Sequence, residues 1–115
     1  MDEGGEDIGR ARRRDARAGV LRSAAIVHGG GAQYFDCTIL DMSSTGARVR
    51  LPRSRTIPPG AVLLDVRNRM AHKVIVVWAT GVKAGLRIVE SHPVDSTLPD
   101  PLRYLSRIWL AYAGR

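Results

Sequence analysis

Short apolar runs broken by turn residues fill the chain from residue 18 onward. "AGVLRSAAIVH" (18–28) is small and branched, and "GGG" (29–31) interrupts it as a hairpin-type connection would. "QYFDCTILD" (33–41) is aromatic and β-branched. "ARVRL" (47–51) alternates cleanly, with Ala47, Val49 and Leu51 on one face and Arg48 and Arg50 on the other. "PRSRTIPPG" (52–60) reads as a loop. "AVLLDVRN" (61–68), "HKVIVVWAT" (72–80) and "GVKAGLRIV" (81–89) read as three further strands, and "ESHPVDSTLPDP" (90–101) as irregular chain. Then the period changes. Leu102, Leu105, Ile108, Trp109 and Tyr112 recur at three- and four-residue spacing, one face of a helix, with Asp100 as cap, Pro101 at the first helical position and Gly114 as the stop. Met42 is expected to point inward.

The predicted fold is therefore mostly β: a small six-stranded antiparallel β-barrel with a C-terminal α-helix over one end or one face. Closure removes the exposed edges that so short a chain could not otherwise cover. The expected boundaries are an acidic tail at 1–9, a basic segment at 10–18, the barrel at 19–90 and the helix at 99–113.

Composition narrows the function. The chain has 115 residues and a net charge of +7, with sixteen Arg against two Lys, Lys73 and Lys83. Arginine offers a planar fork that pairs bidentately with phosphate or guanine and stacks on a base; lysine does not. High genomic GC content would also enrich arginine overall, but not the cluster "RARRRDAR" at 10–17. No apolar run approaches the roughly eighteen residues of a membrane span. The charged N-terminus lacks a signal-peptide core, and the one cysteine, Cys37, in apolar alternating text, reads as a buried structural thiol. The expectation is a cytoplasmic protein with no membrane association.

Catalytic chemistry is hard to find. His28, His72 and His92 are scattered without metal-ligand spacing, and no phosphate-cradling loop or nucleophile elbow is present. Asp36 and Asp41, five residues apart on one strand, fall on opposite faces by simple alternation, a poor acid/base pair. Aromatic residues make up 5 %, few for a single-strand stacking platform, and Trp78 and Trp109 read as core and helix-packing residues. The expectation is a protein that is not an enzyme and carries no cofactor and no metal.

Two local features remain. Arg13-x-x-x-Arg17 lies in the basic cluster, preceded by Arg12. With twenty-three residues separating it from Arg17, Asp41-x-Ser43-x-x-Gly46 follows, between two strands. Alone, the second is ordinary turn chemistry: Asp and Ser bond local amides and Gly supplies positive φ. In this order and spacing, the two resemble the PilZ family, bacterial domains that bind cyclic di-GMP. "CTILDMSSTGARVRL", "PPGAVLLDV" and "VIVVWATGVKAGLRIV" resemble the family's central and late segments, with Ile88 where the family usually has Phe.

The resemblance implies a cyclic di-GMP receptor. Arg13 and Arg17 would hold phosphate and guanine, with Arg12 as an extra clamp. Asp41 and Ser43 would receive a guanine, and Gly46 would let the turn bend and leave room. The Arg12-Arg13 pair suggests two ligand molecules per site. A carboxylate suits guanine N1–H and its amino group, and an arginine fork suits O6 and N7. Ser44 and Thr45 stay plain turn residues. Ordering of the arginine segment on binding would signal to an unknown protein partner. Two other readings stand beside this one: a PilZ-like interaction module that binds no nucleotide, and a non-specific nucleic-acid binder suggested by the charge. Specific nucleic-acid recognition is not expected, since the helix carries only Arg103, Arg107 and Arg115.

Overall fold

The computed structural model describes residues 18–114. The acidic tail at 1–9, the arginine segment and the positions of Arg12, Arg13 and Arg17 lie outside the described residues.

Six strands form the body: β1 (Ala18–His28), β2 (Gln33–Met42), β3 (Gly46–Arg50), β4 (Val62–Asp65), β5 (Met70–Thr80) and β6 (Lys83–Pro93). They close into an antiparallel barrel in the order β1-β2-β3-β6-β5-β4, with β4 pairing back onto β1. One helix, α1 (Leu105–Ala113), follows a 3₁₀ turn at Asp100–Leu102. The barrel, its six strands and the terminal helix are as the pattern predicts.

Alternation divides the strands into two cores. Ile26, Phe35, Cys37, Ile39, Val49, Leu63, Val74 and Leu86 fill the barrel, and Met42 and Ile88 pack against them. The opposite faces of β1, β4 and β5 offer Ala25, Val27, Val62, Leu64 and Ala71, which pack with Leu105, Ile108 and Tyr112 of α1. The helix thus covers one outer face, centred on β4, because three neighbouring strands are apolar on both sides there. Trp109 completes this packing and donates its indole N–H to the Val66 carbonyl (2.8 Å).

Three local expectations change. β6 runs on through Glu90–Pro93, within text read as irregular, because Val89 is an extra residue in a bulge: Lys73 pairs Glu90 but Val74 pairs Ile88. Pro93 ends the strand opposite Met70. The regular helix begins only at Leu105, and Asp100 makes no side-chain cap bond; its carboxylate instead meets Arg103 (3.0 Å). Trp78 is not a core residue. It follows a second bulge at Val77 and lies on the outer surface, 42 % exposed.

Candidate ligand-binding site

A third bulge decides where Asp41 points. Thr38 pairs Arg50 and Ile39 pairs Val49, but Asp41 pairs Arg48, so Leu40 is the extra residue. Ile39 and Val49 face the barrel interior. Without the bulge Asp41 would face inward with them. With it, Asp41 sits opposite Arg48 on the outer surface, the same side as Asp36, which corrects the expectation from simple alternation. Arg48 covers it: both Nε and Nη2 lie 2.6 Å from Oδ2. The Asp41 side chain is thereby largely buried, while that of Arg48 stays 43 % exposed.

The turn after Asp41 is built by a hydroxyl. Ser43 Oγ accepts from the N–H groups of Gly46 (3.2 Å) and Thr45 (3.3 Å), and Ser43 N–H donates to the Gly46 carbonyl (2.8 Å). Ser43 is therefore fixed by the backbone it caps, as a short polar side chain in a turn commonly is. Gly46 differs from expectation. It is the first residue of β3, buried, and its φ is not positive. The side-chain and backbone bonds at Ser43 reverse the chain, so no left-handed residue is needed there. The turn is tied to the last strand as well, since Ile88 N–H donates to the Thr45 carbonyl (2.8 Å) and Gly46 pairs Arg87.

Register extends the site across the barrel. Arg48 pairs Gly85, and Gly85 pairs Trp78. Asp41, Arg48, Gly85 and Trp78 form one cross-strand row on the outer face, with Arg87 in the adjoining row opposite Gly46. Gly85 has a specific reason to lack a side chain: a Cβ there would collide with the Trp78 indole at Nε1. The indole lies on the Gly85 backbone, beside the Asp41–Arg48 pair. Arg48, Arg87 and Trp78 join the candidate site by register, and reading the chain alone missed them. The outward alternation of Arg48 was legible, but which strand it would face was not, and the bulge at Val77 that brings Trp78 outward leaves no mark in its composition.

The described part of the arginine segment's attachment is its last link. Ala18 pairs Met42 and Gly19 pairs Asp41. Arg17, one residue earlier, is thus covalently tethered within about 4 Å of Cα spacing from a residue that pairs with the turn, and Arg13 within about 18 Å. The end of β1 that follows residue 17 in the chain thus lies beside the Asp41–Gly46 turn.

What the surface can do chemically follows from its groups. A carboxylate held beside a guanidinium accepts from paired N–H donors, exposed guanidinium groups bind phosphate or a purine's acceptor edge, and an exposed indole stacks on a base. The Cys37 thiol is pushed up to about 12, by burial first and then by the Asp36 and Asp65 charges, and stays protonated. Among the described residues there is no cluster of three His, Cys, Asp or Glu that could hold a metal, and no helix long and apolar enough to cross a membrane.

The family model of the PilZ domain matches residues 11–100, from inside the arginine cluster to the start of the terminal helix region. No curated protein matches the chain. PilZ domains are generally cyclic di-GMP-binding modules and not typically enzymes.

Proposed function

Because the chain belongs to the PilZ domain family, we propose that it is a cytoplasmic receptor for cyclic di-GMP, without chemistry of its own. The observation that supports this reading is the pairing of Ala18 with Met42, which sets the residue next after Arg17 in the chain beside the Asp41–Gly46 turn. Arg13 and Arg17, with Arg12 as an additional clamp, take phosphate and the O6/N7 edge of guanine. Asp41 accepts from guanine N1–H and the amino group, and Ser43 and Gly46 shape the floor beneath the ring. Trp78 supplies a stacking face, and Arg48 and Arg87 add positive charge next to the phosphates. A ligand pair with stacked guanines suits this combination of an indole and several guanidinium planes.

Binding then fixes segment 10–18 against the barrel and presents a new surface to a downstream protein. Charge-assisted bonds favour that closure against the entropy of ordering the chain. Trypsin reads it directly, because the segment is rich in arginine. Cyclic di-GMP should slow cleavage between Arg10 and Arg17, and equal rates with and without ligand would remove the signalling step.

Titration calorimetry tests the receptor. Micromolar or tighter binding of cyclic di-GMP should weaken at least about tenfold, some 1.4 kcal/mol, in Arg13→Ala and in Asp41→Ala. The same titration reports whether one or two ligands bind. Absence of binding leaves a protein-interaction module, whereas steeply salt-dependent binding to any polynucleotide identifies a general nucleic-acid binder.

A further inference from the structure

At the end of the barrel nearest the Asp41–Gly46 turn, one ion pair is largely withdrawn from water. Arg22 donates from Nε to both oxygens of Asp65 (3.1 and 3.2 Å) and from Nη2 to Oδ2 (2.8 Å). The Asp65 side chain is 1 % exposed and that of Arg22 15 %. Asn68 holds the same carboxylate from its backbone N–H (3.4 Å) and its side-chain amide (3.2 Å). A buried carboxylate with this many fixed donors leaves its arginine little choice of orientation. In that orientation Nη2 also reaches the Met42 sulfur, at 3.5 Å.

Met42 occupies a particular place. It stands between Asp41 and Ser43 and pairs with Ala18, where the arginine segment joins the barrel. Arg22 itself lies on β1 just past the register shift between Gly19 and Arg22. One guanidinium, carried by β1 and locked by Asp65 of β4, therefore reaches the residue that stands between Asp41 and Ser43.

We propose that Arg22 is a positioning residue of the cyclic di-GMP site: through Met42 it sets the place of the Asp41–Ser43 turn relative to the start of β1. The proposal rests on the receptor reading above. Stability alone does not require the pair, since apolar residues of similar volume commonly replace a buried ion pair without loss. A charged fork gives direction. One guanidinium satisfies Asp65 and turns an N–H to the sulfur at once, which a lysine ammonium on a flexible stem does not reproduce.

Two conservative variants test it, Arg22→Lys, which keeps the charge opposite Asp65, and Met42→Leu, which keeps the volume and removes the sulfur. In the protein without ligand, amide hydrogen exchange at Ser43 and Ile88 should quicken about two- to tenfold in each, the loss of one modest hydrogen bond, while Ile26 and Leu63 in the barrel wall exchange as in wild type. Calorimetry with cyclic di-GMP should show affinity falling by a similar factor in each, and the double variant binding no worse than Arg22→Lys. Unchanged exchange at Ser43 overturns the proposal, as does uniform acceleration throughout the barrel, which marks a purely structural pair. Wild-type affinity in both variants overturns it too. If wild type itself binds no cyclic di-GMP, the receptor reading fails, and the exchange experiment still decides whether Arg22 sets the turn. If Arg22→Lys does not fold, Met42→Leu decides alone.

Discussion

Strand β2 begins at one glycine-bearing turn and ends at another, and the two are built by different means. At Gly29–Gly31 all three residues have positive φ, 63°, 65° and 93°. Backbone freedom makes that turn, and the ring of Tyr104 packs on it. At Asp41–Gly46 the glycine is an ordinary strand residue, and the reversal is held by Ser43 through its hydroxyl and its backbone bond to Gly46. The first turn serves packing. The second fixes polar groups at defined positions on the surface, which is what a recognition site requires. A glycine in a turn-like motif therefore does not by itself say which kind of turn it is.

The largest expected effect lies at the packing turn. A Cβ on Gly31 would sit 2.5 Å from Tyr104 Cδ2, in a left-handed backbone as well. Gly31→Ala should lose about 2–4 kcal/mol in urea unfolding, the sum of backbone strain and a displaced ring, with cyclic di-GMP affinity unchanged. Gly30→Ala is the control, since nothing lies within 4 Å of its added Cβ; it should lose only about 1 kcal/mol. Equal losses at the two positions would show that Tyr104 yields freely, and would dissolve the contrast between a packing turn and a recognition turn.

Ser43→Ala probes the other turn and should act in the opposite sense, modestly on stability and strongly on binding. Two amide groups lose their acceptor, at a cost of about 1 kcal/mol by analogy with a removed helix cap. Affinity for cyclic di-GMP should fall at least about tenfold. A variant that binds normally would reduce Ser43 to a structural residue, and the site would then rest on Asp41 and the arginines.

How much of this was legible differs along the chain. The strands were, because Val, Ile and Leu alternate or run continuously with breakers between them. The helix face was too: Leu105, Ile108 and Tyr112 are buried against the barrel at the spacing the sequence shows. The bulges were not. Leu40, Val77 and Val89 look like any other strand residues, yet each shifts a neighbour: Asp41 outward, Trp78 to the surface, and Glu90–Pro93 into pairing. The Asp65–Arg22 pair was not legible either, since nothing local announces that residues 43 positions apart will meet inside a barrel. What escapes a single sequence here is register, which is set by long-range pairing.

A pH effect belongs to the recognition end. His72 is buried, shares Nδ1 with Ser91 Oγ (2.7 Å), and feels the charges of Asp65 and Arg22. Burial, the largest influence, lowers its pKa from 6.5, with Arg22 acting the same way and Asp65 opposing. The unfolded chain then binds the extra proton first as pH falls. The stability His72 contributes is present above about 6.5 and is lost as pH falls through its folded value. The urea midpoint should fall between pH 7.5 and 5.5 in wild type, and fall less in His72→Gln. The two slopes being equal would assign the acid sensitivity to other groups.

The smallest effect sharpens what the packing turn asks of its middle residue. Gly30 sits at φ 65°, ψ 26°, in the left-handed region, with open space around its α-carbon. Conformation alone then resists a side chain, and asparagine tolerates that conformation better than other residues. Gly30→Asn should cost only about 0.5 kcal/mol, below Gly30→Ala, and leave ligand affinity untouched. A loss as large as that of Gly31→Ala would mean that the three glycines are needed together, as a rigid unit under Tyr104. A loss near zero would leave Gly31, covered by one ring, as the residue for which that turn has no substitute.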